Sequence, residues 1–202
     1  MVHHELFDCI FSSGALTELL NDQSSSSEWI KNVDEVLQAN KYKKGQLLLS
    51  LGQTPDQIYF LLKGSVRAYY YDEEGKQCTF YLWDEYSIVT DIVNYVEKVP
   101  SDLYIEVCEE SSMLAIPRPS LDKIINKFPE SVLFMNGILL HYTRHHRERD
   151  KESQSMTANE RLTKLVKIKK KIASKFKSEI IASYLGMSRG YLYDIAKGNR
   201  KH

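Results

Sequence analysis

Residues 180–199, IIASYLGMSRGYLYDIAKGN, have residue types and spacing that suit the recognition of DNA. One apolar helical pattern ends at Gly186, and a second begins after Ser188. Glycine suits the left-handed residue that ends a helix, and serine suits the N-cap of the helix that follows. Two short helices joined in this way form a helix-turn-helix, whose second helix can enter the major groove of DNA.

The second helix of this motif would carry the side chains that read the bases. The candidates for base reading are polar residues at its start and on its exposed side: Ser188, Arg189, Tyr191 and Tyr193. Arg189 is the best of them, because the arginine fork pairs with guanine. Leu192 and Ile195 are expected to face the core. Gly190 lowers helix propensity by about 1 kcal/mol, and Asp194 is repelled by phosphates, so the two residues either change sequence specificity or abolish it.

Charge is distributed unevenly along the chain. Residues 157–202 hold twelve Lys or Arg against three Asp or Glu, a net charge of +9, and the first 156 residues carry −9. A basic module next to a helix-turn-helix favours contact with a polyanion, although a solvated lysine-rich helix remains an alternative. The candidate ligands of DNA phosphates are the basic residues Lys169, Lys170, Lys171, Lys197, Arg200 and Lys201.

Length and composition set the broad class of the protein. At 202 residues and 43% hydrophobic content, the chain suits a soluble globular protein, and we expect two domains. It has no apolar run of about 18 residues and no signal-like start, so we predict a cytoplasmic location. Its three cysteines are too few and too widely spaced for a disulfide framework or a tetrahedral metal site.

The N-terminal part of the chain predicts an antiparallel β-roll. Residues 1–40 have a helical pattern, in which SSSS at 24–27 is expected to be a loop. From Tyr42 onward, short runs rich in Tyr, Phe, Val, Ile and Leu alternate with glycine turns, as in a jelly roll. LYIEVCEESSMLAIPR is expected to form a second strand pair, and PSLDKIINKF a short helix. These elements define a first domain at residues 1–129.

Residues 130–156 predict one long helix and a hinge that leads to the C-terminal domain, residues 157–202. Apolar residues on the helix form a stripe suited to pairing with a second copy: Met135, Ile138, Leu139 and Tyr142. The alternative is that this stripe packs on its own roll. His141, His145 and His146 raise the question of a metal, but their spacing matches no known site, so no metal is predicted.

With these elements in order, the chain resembles the Crp/Fnr family of bacterial transcription regulators. The resemblance lies in the roll segment with IYFLLKGSVR, in the long helix after PESVLF, and in NERLTKL followed by IIASYLGMSRGYL. The tyrosine-rich roll with VTD is similar to members from Bacteroidetes-type bacteria. The resemblance implies an α+β fold: a jelly-roll-like sensor, a dimerisation helix and a winged-helix-like helix-turn-helix domain.

The resemblance also places an effector pocket in the roll. Cyclic-AMP binders of the family hold the ligand with a Gly-Glu pair and an Arg. Here Thr90 and Asp91 stand near the pair, and the Arg position falls near Ser101 or Asp102, which disfavours a buried phosphate. The pocket either binds another small molecule or is packed shut. Its predicted lining is mostly aromatic: Tyr81, Trp83, Val89, Thr90, Asp91, Tyr95 and Tyr104.

These observations predict a cytoplasmic, homodimeric, DNA-binding transcriptional regulator. No cofactor is expected, because the four cysteines of iron-sulfur members are missing and Cys78 lacks the nearby His of the haem-binding type. The chain is not expected to be an enzyme, since no nucleophile and base are arranged for catalysis. Double-stranded DNA is the expected partner, and RNA polymerase is a further candidate. The rival prediction is a protein-interaction module of the same fold that has lost sequence-specific DNA binding.

Overall fold

The computed structural model describes Leu6, residues 23–168 and residues 170–196. Within these ranges, eight strands form two four-stranded antiparallel sheets. The strands are β1 (Gln38–Tyr42), β2 (Leu47–Leu49), β3 (Gln57–Lys63), β4 (Val66–Tyr71), β5 (Gln77–Trp83), β6 (Ser87–Val89), β7 (Tyr104–Val107) and β8 (Ser111–Pro117). One sheet has the order β1-β8-β3-β6, and the other has the order β2-β7-β4-β5.

The two sheets enclose the core of a β-roll, as predicted. Leu61 and Met113 from one sheet and Val66 and Val107 from the other are fully buried in one apolar cluster. The predicted pairing of the last two strands was wrong. β7 pairs with β2 and β4, whereas β8 pairs with β1 and β3. The segment between β7 and β8 therefore crosses from one sheet to the other, where a hairpin was expected.

The glycine turns of the roll are confirmed, and one of them has a second role. Gly45, Gly52, Gly64 and Gly75 all have positive φ, a conformation that glycine adopts without a steric penalty. Gly64, with φ +116°, also lies against β8. A Cβ atom at this position would stand 2.0 Å from Oγ of Ser111. The turn from β3 to β4 thus requires glycine for close packing as well as for its backbone conformation.

The N-terminal helix differs from its prediction. Helix α1 (Gln23–Val36) includes residues 24–27, which were expected to form a loop, and β1 begins four residues before Tyr42. Trp29 and Val33, one turn apart on α1, are buried beside the roll, and the indole N–H of Trp29 donates to Oγ of Ser131 at 2.9 Å. Burial of this apolar side outweighs the modest helix propensity of serine.

Two helices and a short turn follow β8. A short helix α2 (Ile92–Glu97) lies earlier, between β6 and β7. After β8, helix α3 (Arg118–Lys127) and a 3₁₀ turn (Pro129–Ser131) lead into the long helix α4 (Val132–Ser155). The predicted short helix and long helix are therefore present.

The inward side of α4 packs on the roll of the same chain. Met135, Ile138 and Tyr142 are buried in the core cluster, and Leu139 is half-buried. The tyrosine hydroxyl accepts from the indole N–H of Trp83 at 2.9 Å and donates to the carbonyl of Thr90 at 3.1 Å. Three of the four residues predicted to form a dimer contact are thus covered within one chain, because the sheet beside them offers the same apolar surface that a second helix would.

Four helices account for most of the described residues of the C-terminal segment. It contains α5 (Ala158–Ile168), α6 (Lys170–Lys175), α7 (Ser178–Tyr184) and α8 (Arg189–Ala196). The lysine-rich stretch is not one helix, because α6 ends at Lys175 and α7 begins at Ser178. Between 158 and 196 the described residues form no strand, so the hairpin of a winged helix is not among them.

The hinge between α4 and α5 is short. Met156 is extended, with φ −117° and ψ 141°, and ends α4. Thr157 then begins α5 with a capping box: its Oγ1 accepts from the N–H of Glu160 at 3.3 Å, and the Glu160 carboxylate accepts from the Thr157 N–H at 2.8 Å. Met156 and Thr157 thus form the link between α4 and α5. In the part of the chain that is described, no helix is long and apolar enough to cross a membrane.

Candidate DNA-recognition surface and roll cavity

The turn between α7 and α8 has the geometry predicted for a helix-turn-helix. Gly186 has φ +67°. Its N–H donates to the carbonyl of Ser183 at 3.1 Å, and the N–H of Met187 donates to the carbonyl of Ala182 at 2.9 Å. These two hydrogen bonds make a Schellman motif, which satisfies the last carbonyls of α7. The local sequence signal at this turn is therefore confirmed.

Helix α8 begins at a serine cap and is anchored by its apolar side. Oγ of Ser188 accepts from the N–H of Tyr191 at 3.1 Å, which confirms the predicted N-cap. Leu192 is buried in the cluster formed by the C-terminal helices, and Ile195 is half-buried. The two residues expected in the core thus hold α8 against α7 and leave the opposite side of α8 outward.

The outward side of α8 carries the predicted base-reading residues. Ser188 and Arg189 are exposed, Tyr193 is 57% exposed, and Tyr191 is half-buried. Gly190 is also exposed, with open space around its α-carbon. The arrangement offers a cation and hydroxyl groups at the first two turns of the helix. These groups are of the kinds that contact base edges in a major groove.

Most of the predicted phosphate ligands cannot be placed. Lys169, Lys197, Arg200 and Lys201 lie outside the described residues, and Lys170 and Lys171 lie within the range of α6. The structure adds Lys177, which the sequence interpretation overlooked. Its ammonium is exposed directly before α7, 3.8 Å from the carboxylate of Glu179. The first helix of the motif crosses the DNA backbone in helix-turn-helix proteins, which makes this position suited to a phosphate.

Helix α7 is also attached to the roll of the same chain. Oγ of Ser183 accepts from the N–H of Thr79 at 2.8 Å and donates to the carbonyl of Gln77 at 3.0 Å. Leu82, on the same strand β5, is buried in the apolar cluster of the C-terminal helices. Backbone groups of the edge strand β5, the N–H of Thr79 and the carbonyl of Gln77, therefore bind the first helix of the helix-turn-helix.

Arg149 on α4 links the same two elements. One guanidinium nitrogen donates to the carbonyl of Phe80, and the other donates to the carbonyl of Tyr184 at 2.6 Å. The guanidinium carbon lies 4.1 Å from the centroid of the Tyr184 ring. Lys175 adds an ion pair of 2.8 Å with Glu85 of the roll. No sequence signal identified these residues, because a charged residue on a polar helix does not indicate a distant partner.

A cavity of about 340 Å³ lies in the roll beside α4. Side chains from β4, β5, β7, α2 and α4 form its wall. Its aromatic lining is Phe80, Tyr81, Trp83, Tyr142 and His146, and its polar lining includes Thr90, Asp91, Asn94, Asp102 and Thr143. Four of the residues predicted for an effector pocket are therefore brought together here: Tyr81, Trp83, Thr90 and Asp91.

Three other predicted lining residues lie elsewhere. Val89 is fully buried in the core, opposite Tyr59. The Tyr95 ring is also buried, 3.8 Å from the guanidinium carbon of Arg118. Tyr104 faces a neighbouring depression and stacks on Tyr69, with 5.1 Å between ring centroids. Val89 and Tyr104 lie on strands, where successive side chains point to opposite faces, and Tyr95 lies on the buried side of α2.

The carboxylate of Asp91 is held by its neighbours at the edge of this cavity. The hydroxyl of Ser101 donates to its Oδ2 at 2.6 Å, and the side-chain amide of Asn94 donates to the same oxygen at 2.9 Å. No Lys or Arg is found among the residues that line the cavity. Oγ1 of Thr90 is buried in the cavity wall and has no hydrogen-bond partner.

The three histidines of α4 contact aromatic side chains. Nε2 of His141 lies 3.2 Å from the hydroxyl of Tyr81, and His146 stacks on Phe80 at 4.7 Å. Nε2 of His145 lies 3.2 Å from the hydroxyl of Tyr184. Burial, with a smaller contribution from Arg149, lowers the pKa of His146. Over the described residues, no group of three or more His, Cys, Asp or Glu side chains is placed to hold a metal ion.

Comparisons with known proteins found matches to the roll and to the fold of most of the chain. Residues 39–128 match the family of the cyclic nucleotide-binding domain. FixK2 from Bradyrhizobium japonicum superposes with a TM-score of 0.71 at 17% identity, covering 81% of this chain and 84% of that one. A transcriptional regulator of the Crp/Fnr family from Eubacterium rectale superposes with a TM-score of 0.66 at 16% identity, covering 85% and 82%. This chain has the Crp/Fnr fold.

A third neighbour supports the same conclusion. The c-di-GMP-responsive regulator CLP from Xanthomonas campestris superposes with a TM-score of 0.67 at 11% identity, covering 86% of this chain and 91% of that one. A comparison with curated protein sequences gave no match. The resemblance to Crp/Fnr regulators predicted from the sequence is therefore confirmed at the level of the fold.

The Asp91–Ser101 pair lies where the family resemblance predicts part of an effector site. By resemblance, these residues stand near the positions that clamp the ribose and phosphate in cyclic-AMP binders. In this chain they bind each other, so the position near that of the phosphate ligand holds a hydroxyl group that is already donated to a carboxylate. An unpaired phosphate beside a carboxylate, in a partly buried site, is electrostatically unfavourable.

Proposed function

We propose that this chain is a homodimeric, DNA-binding transcriptional regulator of the Crp/Fnr type that works in the cytoplasm. The observation that carries the proposal is the helix-turn-helix itself. Its Schellman turn at Gly186 and its cap at Ser188 are formed, and α8 presents Arg189 outward within a segment of net charge +9. Arg189 reads bases, and the surrounding basic residues contact phosphates.

Regulation in this proposal acts through the attachment of α7 to the roll. Phe80 contributes its side chain to the cavity wall and its carbonyl to Arg149, which also binds the carbonyl of Tyr184. A ligand that shifts Phe80 therefore changes the free energy of the attached arrangement. The hinge at Met156 and Thr157 then sets the spacing of two recognition helices in a dimer, by a shift of population between attached and released states.

The outward side of α4 supports dimerisation. Val132 and Leu140 are 45% and 53% exposed, whereas the predicted stripe is turned toward the roll. A second α4 helix would cover this outer side, as in other helix pairs. Equilibrium sedimentation of Leu140→Asp tests the contact. We expect a dimer for the parent chain and a monomer for the variant, with the exposed polar substitution Asn126→Asp on α3, away from this side of α4, as the control.

The test of DNA recognition is selection of genomic fragments by the purified full chain, followed by affinity measurements on the selected site and on a scrambled one. We expect a palindromic site bound at least about a hundredfold more tightly than the scramble. Arg189→Ala should reduce this ratio. Arg189→Lys keeps the charge without the guanidinium fork, so it should lose discrimination while retaining most non-specific affinity.

Lys177→Ala serves as the matched control for a phosphate contact. It should weaken binding equally on both sequences and reduce the slope of log affinity against log salt by about one. Selection without any enriched sequence would favour the second candidate function, a protein-interaction module. Gly190 and Asp194 favour that alternative, because one lacks a side chain and the other places a carboxylate on α8.

A further inference from the structure

The charged side chains that line the roll cavity have one sign. Asp91 and Asp102 are its carboxylates, and no lysine or arginine lines it. His146, the remaining ionisable nitrogen base of the wall, has a lowered pKa and is neutral at pH 7. Arg149 keeps its positive charge, but its guanidinium lies outside the lining, on the carbonyls of Phe80 and Tyr184 and the Tyr184 ring. The lining itself therefore carries a net negative charge, which disfavours anions.

The remaining wall of the cavity is rich in aromatic rings. Tyr81 stacks on Tyr142 with centroids 4.9 Å apart and meets Trp83 at 4.7 Å. Phe80 stacks on His146 along the next part of the wall. The faces of such rings attract organic cations, most strongly where water is excluded. A volume of about 340 Å³ suits a small molecule with one aromatic ring system, single or fused.

Thr90 contributes a hydrogen-bonding group that is unused in the free chain to the wall of the cavity. The residue is 2% exposed, and its Oγ1 has no hydrogen-bond partner in the free chain. Buried hydroxyl groups are almost always paired, because burial without a partner removes the hydrogen bonds made to water. Neighbouring atoms cover Oγ1 in the free chain, so a ligand N–H group would reach it through a small shift of the wall and supply the missing donor. Asn94 and Asp102 lie in the same wall and offer further polar contacts.

We propose that the roll cavity binds a small organic cation, an amine that carries an aromatic body, and that it excludes anions such as cyclic nucleotides. This inference rests on the sensing role of the roll in the proposed function. The ammonium group lies toward Asp91 and Asp102 and donates to Oγ1 of Thr90. The aromatic body lies against Phe80 and Tyr81, next to the carbonyl that binds Arg149.

Calorimetric titration of the full chain with three indoles tests the sign of the charge. Tryptamine, tryptophol and indole-3-acetate share one ring system and carry positive, zero and negative charge at pH 7. We expect tryptamine to bind at least about tenfold more tightly than indole-3-acetate, with tryptophol between them. Tighter or equal binding of indole-3-acetate or of cyclic AMP would overturn the proposal, as would the absence of tryptamine binding up to about 1 mM.

Two variants connect the binding to the residues of the cavity. Asp102→Asn should reduce the preference for tryptamine several-fold, whereas Glu97→Gln, which changes net charge equally at an exposed residue outside the lining, should not. Thr90→Val should weaken tryptamine binding without lowering the unfolding midpoint, because its hydroxyl has no partner to lose in the free chain. Unchanged affinity in both Asp102→Asn and Thr90→Val would place the amine elsewhere and refute the site.

Selection of DNA fragments on the same preparation separates this inference from the proposed function. If tryptamine binds and no DNA site is enriched, the regulator proposal fails and the cavity assignment stands. If a DNA site is enriched and tryptamine does not bind, only the cavity assignment fails.

Discussion

The hydroxyl of Ser101 donates a 2.6 Å hydrogen bond to Oδ2 of Asp91, a residue of the cavity wall. The same carboxylate caps α2, since its Oδ1 accepts from the N–H of Asn94 at 3.4 Å. Ser101 is 2% exposed and also accepts from the N–H of Leu103 at 3.1 Å. This partly buried pair joins the start of α2 to the segment before β7, so its removal should lower the stability of the fold.

Ser101→Ala should lower the free energy of unfolding by about 1.5–3 kcal/mol, the range for a hydrogen bond to a charged group. The loss arises because Asp91 keeps its charge but loses its shortest donor. Urea denaturation at pH 7 measures it. Ser87→Ala is the matched control: its hydroxyl reaches Asp84 at 3.5 Å, at the limit of a hydrogen bond, and should change stability by about 0.5 kcal/mol or less. Equal losses in the two variants would contradict the role given to Ser101.

Arg149→Met should release α7 from β5. The guanidinium binds the carbonyls of Phe80 and Tyr184, and the neighbouring amide of Thr79 is bonded to Ser183. Once the link is removed, the Thr79 amide should exchange its proton at least about tenfold faster, because opening of the contact exposes it to water.

Hydrogen exchange followed by NMR measures this opening at the Thr79 amide. Arg147→Met, on the exposed side of the same helix, is the control and should leave exchange unchanged. Ser183→Ala should reproduce the faster exchange, since it removes the acceptor itself. Slow exchange at Thr79 in Arg149→Met would mean that Arg149 is dispensable for the attachment.

Gly64→Ala should destabilise the roll by at least about 3 kcal/mol, since the added methyl group would overlap Ser111 and force a shift of β8. Gly75→Ala is the control for backbone conformation alone. Its φ is +75°, and its surroundings are open, so it should cost about 1–2 kcal/mol. Thermal unfolding of both variants gives the comparison.

Ser111→Gly in the Gly64→Ala background should restore part of the lost stability, because it removes the two side-chain atoms nearest the new methyl group. The rescue stays partial, since the backbone α-carbon of Ser111 would still lie 2.9 Å from that methyl group. No rescue would show that strain at the left-handed glycine, and not contact with Ser111, dominates.

His146 should make stability depend on pH. Burial first, and Arg149 second, lower its pKa in the folded chain, while the unfolded chain has a histidine with a pKa near 6.5. The unfolded chain therefore binds more protons below that pH, and the free energy of unfolding falls as the pH decreases from about 7.5 to 5.5. In His146→Phe, which keeps a ring against Phe80, this fall should be smaller. Parallel pH profiles of the two proteins, measured by urea denaturation, would contradict the shift.

Local features of this protein were predictable from its sequence. The left-handed Gly186, the cap at Ser188 and the positive φ of Gly64 each depend on residues only a few positions apart. Glycine and serine reveal such positions by their own chemistry, so the helix-turn-helix and the turns of the roll could be predicted. The resemblance to Crp/Fnr regulators extended these signals to the order of the elements along the whole chain.

Partners across the fold were decided by the tertiary structure. An apolar stripe such as Met135, Ile138 and Tyr142 shows that a side of α4 is buried, but the same pattern suits a second helix or a sheet. In the same way, alternation along β7 and β8 did not reveal that they belong to opposite sheets.

Long-range polar contacts have even less local signal. The partners of Arg149 lie 69 and 35 positions away, and no periodicity marks them. Hydrophobic periodicity and turn residues determined which surfaces of this protein are buried and where its chain turns. The tertiary structure alone decided which surfaces pack against each other, and so which side chains meet in the cavity and at the helix-turn-helix. The reason is that the packing and hydrogen-bond energies of these contacts depend on residues that are distant in sequence.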